Sequence, residues 1–505
     1  MMPGLIDVEN HANGTSVVVF RMYGDGVDIL YTEDVADADI LPEAEQGDEE
    51  KRCKQYGFFH GEWCLIFAGS MCKNKFFLRI NNCKTIHFIS NEATGILFLK
   101  KYLYFCQHKE IIISKMKILM LLDHPFPPDT RVENEIKSLA EARHEVHIAC
   151  FHSEGKALLE KTEHCTIHRF PISKFMFKAS VGVLKFPFYF NYWRKIVNGL
   201  FAEMKFDAVH VHDLPLARIG YEAKCNFGAK FVLDLHENWP VLLQLSKHTN
   251  TFLGKLLSSD KQWVEYEKKM CLLADKVIVV VDEAKNRVCG LGVAPEKVVV
   301  VSNTLNIGQF DPIERKEFKT DKFRMLYVGG INYHRGIQNV IRAISILKKR
   351  GVEVHFDLVG DGSYLADIRR LIEELQVQDN VTVHGFKHYT QICNLYESAN
   401  VAMIPHVKSG HTDNTIPHKI FQYMYAEIPM IVSNCDPLVR IVNETKSGIT
   451  YRFDNSEELA EVIANFHAHP ESLNNYIKHG RQAVIDKYNW KVDGAKLVKL
   501  YEDLR

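Results

Sequence analysis

The sequence predicts an α/β protein: two doubly wound, Rossmann-like domains facing a cleft, preceded by an N-terminal extension whose short apolar runs read as strands. Three observations carry this. From residue 116 onward, apolar runs alternate with amphipathic stretches of helical period, the pattern of βαβ units. The alternation starts afresh near Phe323, after a seam around Asn306–Lys319. Several runs end on glycine, where a strand turns sharply into a loop. The expected divisions are 1–115, 116–311 and 312–505.

Composition narrows the function. The chain has 505 residues, room for about three domains or two large ones. With 46% hydrophobic and 25% charged residues, it has enough apolar surface to fold rather than stay disordered. A net charge of −1 gives no global basic field, so nucleic acid is not an expected partner. No apolar stretch reaches the roughly 18 residues of a membrane span. The opening MMPGLIDVENHANG lacks the basic-then-apolar pattern of a secretory leader, so a cytoplasmic location is expected. Twelve cysteines without a C-x-x-C pair read as reduced, mostly buried thiols and not as a zinc site.

Residues 1–50 hold thirteen acidic side chains and one basic one, Arg21, whereas 51–115 hold three acidic and eleven basic. Val17–Phe20 and Ile111–Ile113 read as short strands. Asp37-Ala38-Asp39 spells a D-x-D, but within an acidic run it reads as a solvated face. Met116-Lys117-Ile118-Leu119 resembles a fresh start followed by a first strand, so 1–115 is either an appended extension or a small accessory domain.

In the first series, strands are expected at Met116–Leu122, Glu145–Cys150, Ala208–His212, Lys230–Leu235, Lys276–Val281 and Val298–Val301, with a helix over Glu133–Ala142. In the second, strands are expected at Met325–Val328, His355–Val359, Val381–Val383, Val401–Ile404 and Met430–Val432. Helices are expected over Ile337–Lys349, Leu365–Glu374 and His418–Ala426. Right-handed crossovers make each series a parallel sheet, with ligands at the carboxyl ends of its strands.

Four motifs at successive strand ends of the second series suit an anion. Gly329 and Gly330 let backbone N–H groups approach a phosphate, and Arg335 adds a bidentate positive fork. Gly360 closes the next strand; without a third glycine, a dinucleotide fingerprint is weak. Gly385 and Phe386 end the following one, where backbone could meet a nucleobase edge. Asn414, Thr415 and Ile416 lead through Pro417 into a helix, with Asn414 or Thr415 as its cap and its positive end toward the cleft. On that helix Lys419 and Gln422 share a face suited to a diphosphate and then a ribose.

At these residues the sequence resembles the retaining glycosyltransferases of family 4, which have the two-domain GT-B fold. The resemblance covers 116–505, and Thr415–Pro429 is its most specific stretch. It implies a nucleotide-diphosphate-sugar donor bound by the second domain, an acceptor held by the first, and retention of anomeric configuration. It implies no metal or other cofactor. Arg335 matches the family's basic residue on the diphosphate, and Lys419 sits in its phosphate-facing motif. Asn414 and Gln422 fall where many members carry glutamates, and Gly330 where many carry a second arginine. The run His124–Val132, including Asp129 and Arg131, resembles the family's first loop, expected on the acceptor side. The closing helix Trp490–Leu504 looks like a tail that packs back on the first domain.

Two histidine motifs end strands of the first series. His236 is the expected contact to the transferred sugar or the acceptor and, with Arg335 and Lys419, completes the expected catalytic set. Glu237 and Asp213 would orient it or meet acceptor hydroxyls; His212 is expected on the acceptor side, and His210 reads as buried and structural. Between Ser173 and Phe201, aromatics crowd among Lys174, Lys178, Lys185, Arg194 and Lys195. Such a segment either lies peripherally on a membrane surface, suiting a lipid-linked sugar acceptor, or forms a core helix pair. The reading is a sugar transferase of surface polysaccharide or glycoconjugate synthesis. The alternatives are a silent nucleotide-sugar-binding scaffold and a sugar-nucleotide epimerase on the same fold.

Overall fold

The computed structural model describes residues 115–245, 259–310, 322–388 and 391–504, and five short strands between residues 18 and 89. The chain divides into two compact units, Met1–Ile112 and Ile113–Arg505. In the first, β1 (Val18–Tyr23) pairs antiparallel with β2 (Gly26–Tyr31), Val18 opposite Tyr31. β3 (Ile66–Ser70), β4 (Lys75–Arg79) and β5 (Ile86–Ile89) form an antiparallel meander. The Asp37-Ala38-Asp39 motif and the Ile111–Ile113 run lie outside the described residues.

The second unit is built on two sheets. The first contains β6 (Lys117–Pro125), β7 (Glu145–Phe151), β8 (Leu159–Lys161), β9 (Cys165–Phe170), β10 (Ala208–His212), β11 (Lys230–Leu235), β12 (Lys276–Val279) and β13 (Val298–Val300). Their spatial order is β13-β12-β11-β10-β6-β7-β9-β8, all parallel except β8. The second sheet holds β14 (Phe323–Val328), β15 (Val354–Val359), β16 (Val381–Gly385), β17 (Val401–Ile404), β18 (Met430–Ser433) and β19 (Gly448–Tyr451). Its order is β16-β15-β14-β17-β18-β19, parallel throughout. Helices cover both faces, so the central strands are continuous apolar runs; Ile118, Leu119, Met120 and Leu121 are wholly buried.

Strand order reverses at β6/β10 in one sheet and at β14/β17 in the other, and such reversals open crevices beyond the strand ends. Asp123 lies near the carboxyl end of β6 and Asp213 just after β10, while Gly329 and His406 follow β14 and β17. The helix after β6 runs Thr130–Glu141, three residues earlier than its apolar period suggests. Asp129 caps it, accepting from the Arg131 and Val132 N–H groups at 3.1 Å, while Glu133 reaches back to the Asp129 N–H at 3.0 Å. The helix Trp490–Glu502 lies against this first helix, with Trp490 Nε1 donating to Ser138 Oγ at 2.9 Å. Between the lobes, Arg440 forks onto Glu283 at 2.7 and 3.0 Å.

Candidate active site

Between the two lobes lies a cavity of about 470 Å³. The second lobe gives it a cationic wall. Lys419 opens a seven-residue helix, Lys419–Tyr425, whose side chains are all buried except the partly buried Gln422. The Lys419 Nζ has no hydrogen-bond partner and sits 3.7 Å from the centroid of the Tyr327 ring. Burial, and then the Arg335 charge, hold the Lys419 ammonium well below its ordinary range. Arg335 comes from a single 3-10 turn, Tyr333–Arg335, and its Nη1 meets His406 Nε2 at 3.2 Å. Gly329, at φ +140°, is required here: a Cβ on it would lie 2.5 Å from Lys419 Nζ.

The first lobe supplies a buried ionic network behind its wall. Arg131 Nη2 donates to both Asp234 oxygens at 3.0 and 3.1 Å, Nε pairs with Glu135 at 3.0 Å, and Nη1 donates to the Val301 carbonyl. His236 Nε2 lies 3.1 Å from Asp234 Oδ2 and 3.3 Å from His212 Nδ1. Burial would lower the His236 imidazolium, but Asp234 and Asp213 outweigh it and raise it to about 9. Burial would raise Asp234, but Arg131 and His236 hold it well below the usual carboxylate range. Asp213 accepts the His236 N–H at 3.2 Å from a backbone at φ 63°, ψ 162°, a strained conformation for a side-chain-bearing residue. Burial and the Asp213 charge push Glu237 up to about 7. Its Oε2 reaches across the cleft to His411 Nε2 at 3.2 Å.

Glu135, His210, His212 and Asp234 put ligand-type atoms within 4.8 Å of one another. The Arg131 guanidinium touches both carboxylates, so the positive charge such a set would seek in a metal is already covalently attached.

Of the residues singled out in sequence, the cavity is lined by His236, Arg335 and Lys419; by Gly329, Gly330, Thr415, Ile416 and Gln422; and by Asp129, Arg131 and Glu237. Six lie outside that lining. Gly360 packs on the Gly329 carbonyl, so close that a Cβ would lie 1.9 Å from it, and its N–H donates to Gly385. The Phe386 ring is 73% exposed. His212 is buried in the network, and Asp213 acts through the His236 backbone. Asn414 turns back to donate to the Gly410 carbonyl and Thr415 to that of His411, so neither caps the helix as the sequence suggested. Seven residues also align few peptide dipoles, so charge at that end comes from the Lys419 side chain. Arg131 shows its edge to the cavity while its guanidinium is committed to carboxylates. His236 is oriented by Asp234, a residue of the same motif to which sequence reasoning gave no role. His406 and Tyr327 were also missed. Their one signal is position: His406 follows β17 by two residues, and Tyr327 precedes the end of β14.

Two doubly wound lobes closing on a cation-lined cleft constitute the GT-B architecture. Anabaena HepE, solved in complex with UDP and glucose, shares the fold at a TM-score of 0.58 and 16% identity, over 76% of this chain and 98% of that one. Residues 129–309 match the model of Glycosyltransferase Family 4, and residues 309–483 that of glycosyl transferases group 1. The chain belongs to the GT-B glycosyltransferases of the family 4 type. An uncharacterized glycosyltransferase of Methanocaldococcus jannaschii is 25% identical over 323 residues, 60% of this chain and 77% of that protein. The putative colanic acid biosynthesis glycosyltransferase WcaL of Escherichia coli is 25% identical over 232 residues. That match spans 46% of this chain and 57% of WcaL.

Proposed function

We propose that the chain transfers a sugar from a nucleotide-diphosphate-sugar to a glycan or lipid-linked acceptor in polysaccharide synthesis, with retention of anomeric configuration. The observation that carries this is the buried Lys419 ammonium, without a hydrogen-bond partner, beside Arg335 in the cleft. A buried cation without a counter-ion is costly, and the missing partner is an anion. The diphosphate of a sugar nucleotide supplies one, and its charge grows as the glycosidic bond breaks, so the same two side chains favour the transition state over the ground state. UDP in HepE and the colanic acid role named for WcaL support the donor and the setting. In this reading the bond from the anomeric carbon to the phosphate oxygen breaks on the face where the acceptor oxygen bonds. The acceptor proton passes to the departing phosphate. His236 Nδ1, 3.8 Å from Asp213 Oδ2, is the ring nitrogen with room for a substrate hydroxyl.

The test is a transfer assay over UDP-, GDP- and ADP-sugars with oligosaccharide acceptors, reading nucleotide release and the product's anomeric configuration by NMR. His236→Ala is expected to lower turnover by roughly 10²–10³-fold, measured at a temperature where the variant, which loses a buried partner of Asp234, remains folded. Because His236 holds its proton up to about pH 9, the wild-type rate is expected to fall as pH rises through that value. Near-normal turnover of His236→Ala would remove the residue from the mechanism, and an inverted anomer would remove retention.

The membrane reading rests on charge as well as exposure. Phe175, Phe177, Phe186 and Phe188 are exposed, 46–69%, on two neighbouring helices and their connection. Residues 171–202 carry five basic side chains and no acidic one; Arg194 is committed to Glu222, and the lysines are the match to anionic lipid. No described helix is long and apolar enough to cross a membrane. Phosphatidylglycerol vesicles are expected to float the wild type, and the Phe175/Phe177/Phe186→Ser variant at least about tenfold less. Equal flotation of the two would end this reading.

A further inference from the structure

Several arginines on the described lobes fork onto a carboxylate. Arg131 takes Asp234, Arg194 takes Glu222, Arg287 takes Glu267 and Arg440 takes Glu283. Lys408 likewise pairs with Asp413 and Asp436. Arg335 and Lys419 depart from this pattern: among the described residues neither forms an ion pair. Each is nevertheless fixed by a buried, uncharged group. The His406 side chain, 3% exposed, meets Arg335 Nη1 through Nε2. The Tyr327 ring, fully buried, lies under Lys419 Nζ and is pinned by its hydroxyl donating to the Gly330 carbonyl at 2.8 Å.

We propose that His406 and Tyr327 are positioning residues that aim Arg335 and Lys419 into the cleft without neutralising them, leaving both charges for the donor's diphosphate. The inference rests on the donor reading above. Burial, with Arg335 and Lys419 nearby, holds the His406 imidazole well below its ordinary range, so it is neutral and its Nε2 accepts. A carboxylate in that place would orient Arg335 more firmly, but would compete with the incoming phosphate for the same N–H groups. The ring face under Lys419 attracts a cation through its quadrupole while adding no net charge. A shared strategy on two unrelated side chains distinguishes this from chance packing: orientation comes from dipole and quadrupole, and charge is reserved for the ligand.

Calorimetric titration of UDP, GDP and ADP into the full chain tests it. His406→Glu is expected to bind the best of the three at least about tenfold more weakly than the near-isosteric His406→Gln. Tyr327→Leu is expected to bind it about tenfold more weakly than Tyr327→Phe, which keeps the ring. Melting temperatures accompany each measurement; if one pair fails to fold, the other pair decides. His406→Glu binding as tightly as His406→Gln, or Tyr327→Leu as tightly as Tyr327→Phe, would overturn the positioning role while Lys419→Met still abolishes binding. A wild type that binds none of the three nucleotides, or a Lys419→Met variant that binds undiminished, would overturn the donor reading and the positioning role with it.

Discussion

Lys419→Met is expected to lower kcat/KM for sugar transfer by roughly 10²–10³-fold, the usual effect of deleting one pre-placed stabiliser of a leaving group. The same substitution is expected to stabilise the empty protein by about 1–3 kcal/mol, because it removes a buried polar group that has no hydrogen-bond partner. Opposite signs in activity and stability separate a functional cation from a structural one, and urea denaturation beside steady-state kinetics reads both. The two effects share one origin. Burial and Arg335 depress Lys419 in the empty cleft, and an arriving diphosphate opposes that depression by favouring the ammonium. A destabilised Lys419→Met variant would indicate instead that the ammonium holds the fold.

Arg131→Met carries the largest expected loss of stability, about 3–5 kcal/mol, because it strands Asp234 in a dry interior beside Glu135. Removing all three charges as Arg131→Met/Glu135→Leu/Asp234→Leu should recover much of that loss. It would not recover transfer, since His236 loses the carboxylate that orients it and keeps it protonated. A cost below about 1 kcal/mol for Arg131→Met would contradict a buried network. Denaturant titration of the single and triple variants gives the comparison.

Most parallel strands are legible because strands covered on both faces need uninterrupted apolar runs, as in Met325–Val328 and Met430–Val432, whereas Cys165–Phe170, interrupted by polar residues, and the four-residue Gly448–Tyr451 are not among the expected strands. The three-residue β8, Leu-Glu-Lys, was not: its half-exposed antiparallel pairing leaves no periodicity to read. Within the site, residues that act through their own motif were visible, as Gly329, Arg335, Lys419 and His236 were. Residues whose meaning depends on a distant partner were not. Nothing near Asp234 announces Arg131, and nothing near Glu237 announces His411. Asn414 is expected at the donor because it falls where the family carries a glutamate, yet a local carbonyl at Gly410 claims its amide first. Lys419 is legible as a diphosphate contact but its depth is not, because helical spacing reports which side chains share a face and not how deeply a second element covers them.

The helix Trp490–Glu502 is specified after the second lobe but completes the first. Trp490, Leu497, Leu500 and Tyr501 are buried in the same cluster as Ile118 and Met120, and the Tyr501 hydroxyl meets His210 Nδ1 at 2.9 Å. The first lobe is therefore not a contiguous cassette, whereas the second is an unbroken segment set within it. A chimaera that trades the donor-side half of this chain for another must cut twice and return the native tail. A single crossover would leave an orphaned hydrophobic seam on one parent and a mismatched graft on the other.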